Sequence, residues 1–190
     1  MNLPNKLTVF RIILTIIFVW IVVLEGLTAK IFAALLFTAA SVTDFLDGYL
    51  ARKHNLISNF GKIMDPIADK CLILSAFYVF AHMQLIAWWM FVLVAIREVW
   101  ITAWRLHAIL KGRVLAAETL GKYKTVAQIV TISITLIFLI LKETKMSLGW
   151  SNNVFFGWLN FIYYLMFGVV LITLISGISF LRNNRRSSDG

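Results

Sequence analysis

Apolar positions run in six blocks, about Leu7–Leu24, Ile31–Leu50, Asp65–Phe80, Leu85–Leu106, Gly121–Leu141 and Val154–Leu181, separated by short stretches where charged and polar residues gather. A helix rises 1.5 Å per residue, so a span of roughly 20 residues crosses a hydrocarbon core. Backbone polar groups in lipid must find partners within their own segment, so blocks of this length predict helices. The fold expected is an all-α integral membrane protein with six transmembrane helices. Pro4 reads as preceding the first helix. Pro66 reads as an early-turn proline of the third, where a missing N–H costs little; a kink within a continuous helix is the competing local reading. No internal repeat or low-complexity segment is visible. The first block is too long for the apolar core of a signal peptide and lacks a small-residue cleavage site, so it reads as retained.

Composition sharpens this picture. The 190 residues are 61% hydrophobic and 14% charged, with a mean hydropathy of +0.86, which leaves no room for a sizeable soluble domain. The formal net charge of +9 is unevenly placed. Lys6 and Arg11 stand at the start, Arg52, Lys53 and Lys62 between the second and third blocks, Arg105, Lys111, Arg113, Lys122 and Lys124 between the fourth and fifth, and Arg182, Arg185 and Arg186 at the end. The alternate connections hold Glu25 with Lys30, His82, and Lys142, Glu143 and Lys145. By the positive-inside rule both termini and the two basic connections face the cytoplasm. The excess charge then reflects topology and contact with anionic lipid, not nucleic-acid binding. Residues 1–181 read as one transmembrane domain and 182–190 as a polar cytoplasmic tail. Cys71 is the single cysteine; it excludes an intrachain disulfide and reads as a small buried hydrophobe. His54, His82 and His107 are scattered boundary residues, and the Trp and Tyr residues suit interfacial belts.

Against this apolar background, four of the nine acidic residues fall at Asp44, Asp47, Asp65 and Asp69. A carboxylate near the middle of a membrane helix costs about 2.5 kcal/mol or more on insertion scales. Asp44, Asp47, Gly48 and Ala51 follow i, i+3, i+4, i+7 spacing, and Gly61, Asp65 and Asp69 follow i, i+4, i+8, so each set shares one helix face. The short basic connection makes the two helices antiparallel neighbours whose acidic faces converge just below the cytoplasmic surface. Four like charges at that separation require neutralisation. Oxygen-only donors without nearby His or Cys suit hard cations, and four carboxylates can bridge two of them, Mg²⁺ or Mn²⁺, as in metal-assisted phosphoryl displacement. Gly48, Ala51 and Gly61 clear space along the same faces. Small-residue helix packing explains the Gly and Ala but not four co-facial Asp. A cation transporter is the rival from another class; it would distribute polar groups through the whole membrane depth, whereas these cluster at the cytoplasmic ends.

The run Asp-x2-Asp-Gly-x2-Ala-Arg-x8-Gly-x3-Asp-x3-Asp, complete from Asp44 to Asp69, resembles the signature of the CDP-alcohol phosphatidyltransferases. The resemblance implies transfer of a phosphatidyl group from CDP-diacylglycerol to an alcohol with release of CMP. It implies that Asp44, Asp47, Asp65 and Asp69 hold two divalent ions, and that Asp69 is also the general base on the acceptor hydroxyl. Gly48, Ala51, Arg52, Ser58 and Gly61 would border the CDP-diacylglycerol site. Asn2-Leu3-Pro4-Asn5-Lys6-Leu7-Thr8 with Arg11, Asp65-Pro66-Ile67-Ala68-Asp69-Lys70, Arg97-Glu98 followed by Arg105, and Gly121-Lys122-Tyr123-Lys124-Thr125 look like the bacterial phosphatidylglycerophosphate synthases within that family. On that likeness Asn5 and Thr8 border the cytidine pocket, and the acceptor is sn-glycerol 3-phosphate. Phosphatidylglycerol, serine and an inositol phosphate stay open as alternatives. Glu118 departs from the small residue expected there, and the last two blocks carry no recognised motif.

A phosphorylated acceptor calls for basic residues: Arg through bidentate hydrogen bonds, Lys as a point charge. Arg97, Arg105, Arg113, Lys122 and Lys124 are the candidates. Arg97 lies inside an apolar block, which marks it as functional by default, with an ion pair to Glu98 as its alternative. Lys122 and Lys124 read equally well as topology flanks, and Lys111 as a flank. The expected partners are CDP-diacylglycerol, glycerol 3-phosphate and membrane lipids. The resemblance points to a bacterial cell membrane, with the active site facing the cytoplasm, and to relatives that are commonly homodimers.

Overall fold

The computed structural model describes the backbone of residues 3–54, 59–111, 119–146 and 151–185; within these, the side chains of 3–6, 44–54, 59–63, 65–66, 109–110, 119–120, 145–146 and 184–185 fall outside the described set. Six helices make up the described chain: α1 (Leu3–Val22), α2 (Leu27–His54), α3 (Asn59–His82), α4 (Trp88–Leu110), α5 (Thr119–Met146) and α6 (Asn152–Arg185). The apolar blocks find all six but undershoot their lengths. α2 continues through Arg52 and Lys53, and α6 through Arg182, because Lys and Arg are good helix formers that extend a helix beyond its apolar stretch. Among the described residues, Gly121–Thr144 and Asn152–Asn183 are long and apolar enough to cross a membrane, and Leu7–Val22 and Leu27–Thr43 are shorter apolar stretches.

Both proline readings change. Pro4 lies within the first turn of α1, where the first four N–H groups lack helical partners in any case. Pro66 lies in the interior of α3, not in an early turn, so the continuous-helix alternative holds. Its nitrogen cannot donate to the carbonyl four residues back, at Lys62. Membrane helices accept such a break where neighbours re-satisfy the freed group.

Each helix packs against two neighbours in the cyclic order α1–α2–α5–α6–α4–α3, and α3 also touches α5 across the ring. α1 lies along both α2 and α3, while α2 and α3 meet each other over a shorter stretch of the described residues. The core is built from helix faces carrying Leu14, Phe18 and Val22 of α1, Ala33, Phe37 and Ala40 of α2, Phe77 and Phe80 of α3, and Ile132 and Phe138 of α5. Phe18 and Phe37 cross with ring centroids 5.8 Å apart. The outward faces are apolar as well: Trp20, Tyr164 and Ile178 are 73%, 71% and 68% exposed. Apolar exposure on this scale suits a lipid surround. Cys71 joins that outer surface. It is exposed, not buried, because it shares a face of α3 with Tyr78, seven residues on and also exposed.

Among the described residues, two turns join consecutive helices. Between α1 and α2 the chain reverses through Gly26, whose φ of 100° a side chain would strain. After α3, Gln84 takes a left-handed φ of 58°. Leu85 N–H donates to Phe80 C=O (2.9 Å) and Gln84 N–H to Ala81 C=O (3.1 Å), a Schellman ending without the usual glycine. The end of α1 is closed by a side chain instead. Lys30 is buried, and its Nζ donates to the carbonyls of Val22 (2.9 Å) and Leu24 (2.7 Å), placing a cation at the negative end of the α1 dipole. Lys30→Met keeps the stem and removes the donors. It should lower unfolding free energy in detergent by about 1–3 kcal/mol, the scale of charged hydrogen bonds. An unchanged denaturant midpoint would show that Lys30 caps nothing of consequence.

Candidate functional site: two charged contacts on α3

Two charged contacts are organised around two consecutive residues of α3. Successive residues of an α-helix are rotated by about 100°, so Asp69 and Lys70 face different neighbours. Asp69 turns to α1, where Arg11 Nη1 donates to its Oδ1 at 3.2 Å. The Arg11 side chain is fully buried and that of Asp69 is 39% exposed. Arg11 sits four residues inside the first apolar block, and a buried guanidinium there is tolerable only with a carboxylate beside it. Thr8, one turn earlier on α1, is also fully buried. The polar face of α1 therefore lies against the acidic face of α3.

Lys70 turns to α4. Its Nζ lies 3.2 Å from Oε2 of Glu98, a carboxylate only 1% exposed. The other oxygen, Oε1, accepts from Lys124 Nζ at 2.6 Å and Gln128 Nε2 at 3.2 Å, and lies 3.4 Å from Arg97 Nη1. Lys124 and Gln128 are i, i+4 on α5 and so present one face to Glu98. Arg97 reaches on to α6, where its Nη2 donates to Ser176 Oγ at 2.7 Å. The neighbouring Gly177 makes room: a Cβ there would lie 3.4 Å from Arg97 Cγ and Nε. One carboxylate thus gathers three cations, and residues of α3, α4, α5 and α6 meet around it.

The residues expected from sequence divide accordingly. Arg97 and Lys124 come together at Glu98. Lys122 is exposed, while Arg105, also exposed, lies over the Phe180 ring at 5.5 Å. Asp69 and Thr8 lie in the α1–α3 region. Asn5 is on α1, Asp44, Asp47, Gly48, Ala51 and Arg52 on α2, and Gly61 and Asp65 on α3, with side chains outside the described set; Ser58 and Arg113 lie outside the described residues altogether. Among the described residues no three metal-ligating side chains gather; three of the four signature Asp side chains are not in that set. The pair Arg97–Glu98, raised as the alternative for Arg97, is present. Arg11, Lys70, Gln128 and Ser176 were not singled out as site residues. A signal existed for two of them: Arg11 is a charge inside an apolar block, and Lys70 adjoins the expected base. Gln128 and Ser176 carry no such mark, since polar neutral residues are ordinary in membrane helices.

The family profile of the CDP-alcohol phosphatidyltransferases matches residues 1–181. A Bacillus subtilis protein named CDP-diacylglycerol–glycerol-3-phosphate 3-phosphatidyltransferase is 42% identical over 148 residues, covering 72% of this chain and 77% of its own length. An Escherichia coli protein of the same name is 38% identical over 138 residues, 70% of this chain and 75% of its own. One from Rickettsia typhi reaches 50% over a shorter stretch of 72 residues, 38% of this chain and 40% of its own.

The α1–α3 contact can be measured without reference to any activity. Arg11→Met removes the guanidinium beside Asp69. Because Asp69 is 39% exposed, the loss should be moderate, about 1–3 kcal/mol. Adding Asp69→Asn should recover part of it, since the carboxylate that lost the Arg11 contact is then neutral. Strictly additive losses in detergent unfolding would show that the two side chains are not coupled.

Proposed function

The chain belongs to the CDP-alcohol phosphatidyltransferase family, and we propose that it transfers the phosphatidyl group of CDP-diacylglycerol to sn-glycerol 3-phosphate, giving phosphatidylglycerophosphate and CMP. Several relatives bearing that activity in their names, at about 40% identity over most of this chain, support the reading. The observation that carries it is the pair of consecutive residues on α3, one a carboxylate held by Arg11 and the other one of three cations gathered at Glu98. A base beside an anion-binding cluster is what a phosphorylated alcohol needs.

The protein's own residues would act as follows. Asp69 accepts the proton of the acceptor hydroxyl as its oxygen bonds to the β-phosphorus of CDP-diacylglycerol, the phosphorus that carries the diacylglycerol; the bond from that phosphorus to the bridging oxygen breaks, and CMP leaves. Arg11 orients the Asp69 carboxylate and stabilises its charged form. Arg97, Lys124 and Lys70 hold the acceptor phosphate; Arg105, Arg113 and Lys122, the remaining basic candidates, would attract it from outside. Asn5, Thr8, Gly48, Ala51, Arg52, Ser58 and Gly61 would border the CDP moiety. The family uses divalent cations, and the donor set here suits Mg²⁺ or Mn²⁺: Asp44 and Asp47 are one turn apart on α2, Asp65 and Asp69 one turn apart on α3, and all donors are oxygen. When bound at these four residues, the ions would neutralise charge on the diphosphate.

The protein is a membrane protein with helical spans. We read all six helices as spanning a bacterial plasma membrane, with both termini and the site at the cytoplasmic side, residues 1–181 as the catalytic unit and 182–190 as its tail. Supporting this is the bias of Lys and Arg toward alternate connections. At that depth a lipid donor arrives laterally and a water-soluble acceptor arrives from the cytosol.

An acceptor panel with purified protein and Mg²⁺ or Mn²⁺ tests the reading. CMP release should require glycerol 3-phosphate; release with phosphatidylglycerol or serine in its place overturns the choice of acceptor. Asp69→Asn should still bind CDP-diacylglycerol but lose roughly 100-fold or more in turnover, the usual range for a general base. Near-normal turnover would remove Asp69 from that role.

A further inference from the structure

We infer that the cavity between the α3–α4 turn and the first turns of α6 is a lipid-binding site that takes the uncharged sugar headgroup of a glycosyl-diacylglycerol. It lies at the far end of α3 from the proposed base. Asp69 and His82, the last residue of that helix, are separated by about 20 Å along the axis at 1.5 Å per residue. The cavity has a volume of about 430 Å³, within the range of small-ligand sites. Its walls are of two kinds. Leu85, Ile86 and Leu159 supply apolar surface, while Gln84, Trp88, Asn160 and Tyr163 bring two amides, an indole N–H and a phenol. Asn160 and Tyr163 share one face of α6 at i, i+3 spacing, and Gln84 and Trp88 come from the α3–α4 side.

Gln84 is the residue that points to a ligand. It holds the left-handed position that ends α3, with φ 58°, where glycine is usual and a side chain is strained. The helix ending needs only the backbone there, since both of its hydrogen bonds are between main-chain groups. A side chain kept against that strain has work elsewhere, and this one lines the cavity. Among the described residues, the side chains of Gln84, Asn160 and Tyr163 take no hydrogen-bond partner in the chain, and in a lipid surround polar groups need one. The rings are braced in place: Trp88 meets Tyr78 and Phe91 edge-on at 5.9 Å each, and Tyr163 meets Tyr164 at 5.8 Å. Each presents an apolar ring with a polar tip, the combination suited to a membrane interface.

The lining then selects the headgroup. None of these side chains carries a charge, so a lipid phosphate would enter without a counterion and lose its hydration. The single hydroxyl of diacylglycerol can meet only one or two of the four polar side chains, whereas the hydroxyls around a sugar can meet all of them. Trp88 and Tyr163 are 48% and 40% exposed, so the cavity opens on the apolar outer surface, where the acyl chains of the same lipid can lie.

Native mass spectrometry of the full chain in detergent, titrated separately with glucosyl-diacylglycerol, diacylglycerol and phosphatidylglycerol of matched acyl chains, tests the site without any turnover. Glucosyl-diacylglycerol should bind one to one and about tenfold or more tighter than either other lipid, the scale of two or more hydrogen bonds. Gln84→Gly and Asn160→Leu should each weaken it severalfold, up to about tenfold. Gln84→Gly also separates binding from folding: glycine suits the left-handed position, so the denaturant midpoint should stay level or rise while the affinity falls. That variant decides the matter if Asn160→Leu does not fold. Equal affinity for diacylglycerol would show that the polar groups read no sugar. Phosphatidylglycerol bound as tightly as the glycolipid would make the cavity a general lipid contact. Either result overturns the inference, as does glucosyl-diacylglycerol binding that Gln84→Gly leaves unchanged.

Discussion

The carboxylate of Glu98 is the contact on which the packing of α3, α4, α5 and α6 depends. It is the acidic residue of α4, and a buried charge in that position is costly unless its neighbours answer it. They come from α3 and α5 directly, and from α6 through Arg97 and Ser176. The cyclic order of the helices makes this possible: α3 and α6 flank α4, and α5 touches both α3 and α6. Hydrophobic packing alone is non-directional and tolerates sliding of one helix along another. Ion pairs of 2.6–3.4 Å do not tolerate it, so the charged junction sets the register that the apolar faces leave loose.

A second, smaller charged contact does the same on the other side of α3. Arg11 and Asp69 tie α1 to α3 at a depth where α1 also borders α2. α1 is therefore more than an apolar helix. It is the wedge between the two helices that carry the signature carboxylates, and its polar residues Thr8 and Arg11 lie one turn apart and buried. α3 becomes the shared partner in two charged contacts, one with α1 and one with α4. The opposite ends of the helices are closed by turns and by Lys30, with backbone carbonyls as partners in place of carboxylates. Charge pairs with charge where chemistry is proposed and with the backbone where only closure is needed.

Much of this was legible in the amino-acid order. Six apolar blocks announced six helices; of the four Asp whose spacing points to a metal-binding type of site, the side chains of Asp44, Asp47 and Asp65 lie outside the described set. What the blocks hid were the helix ends, because Arg52, Lys53, Lys62 and Arg182 continue helices that hydropathy alone would stop. Pro66 was misjudged for the same reason: the start of α3 lies in polar sequence, so the proline is interior. Cys71 was misjudged because a small thiol fits a lipid-facing surface as readily as a core. Among the basic residues, Lys122 and Lys124 looked alike as a pair, yet alternate positions on a helix face different ways, and only Lys124 turns inward. Gln128 and Ser176 could not be singled out, since their significance lies in what sits across from them, on α4.

Asp69 and Lys70 are joined by a single peptide unit, which holds their Cα atoms about 3.8 Å apart whatever the helices do. Bilayers change thickness with their lipid composition, and spanning helices answer by tilting. A tilt of α3 carries both residues together, so the backbone spacing of the proposed base and its neighbouring cation is governed by covalent geometry and is insulated from the lipid around it. For an enzyme whose product feeds into that same lipid, the spacing that matters most is the one its own output cannot alter.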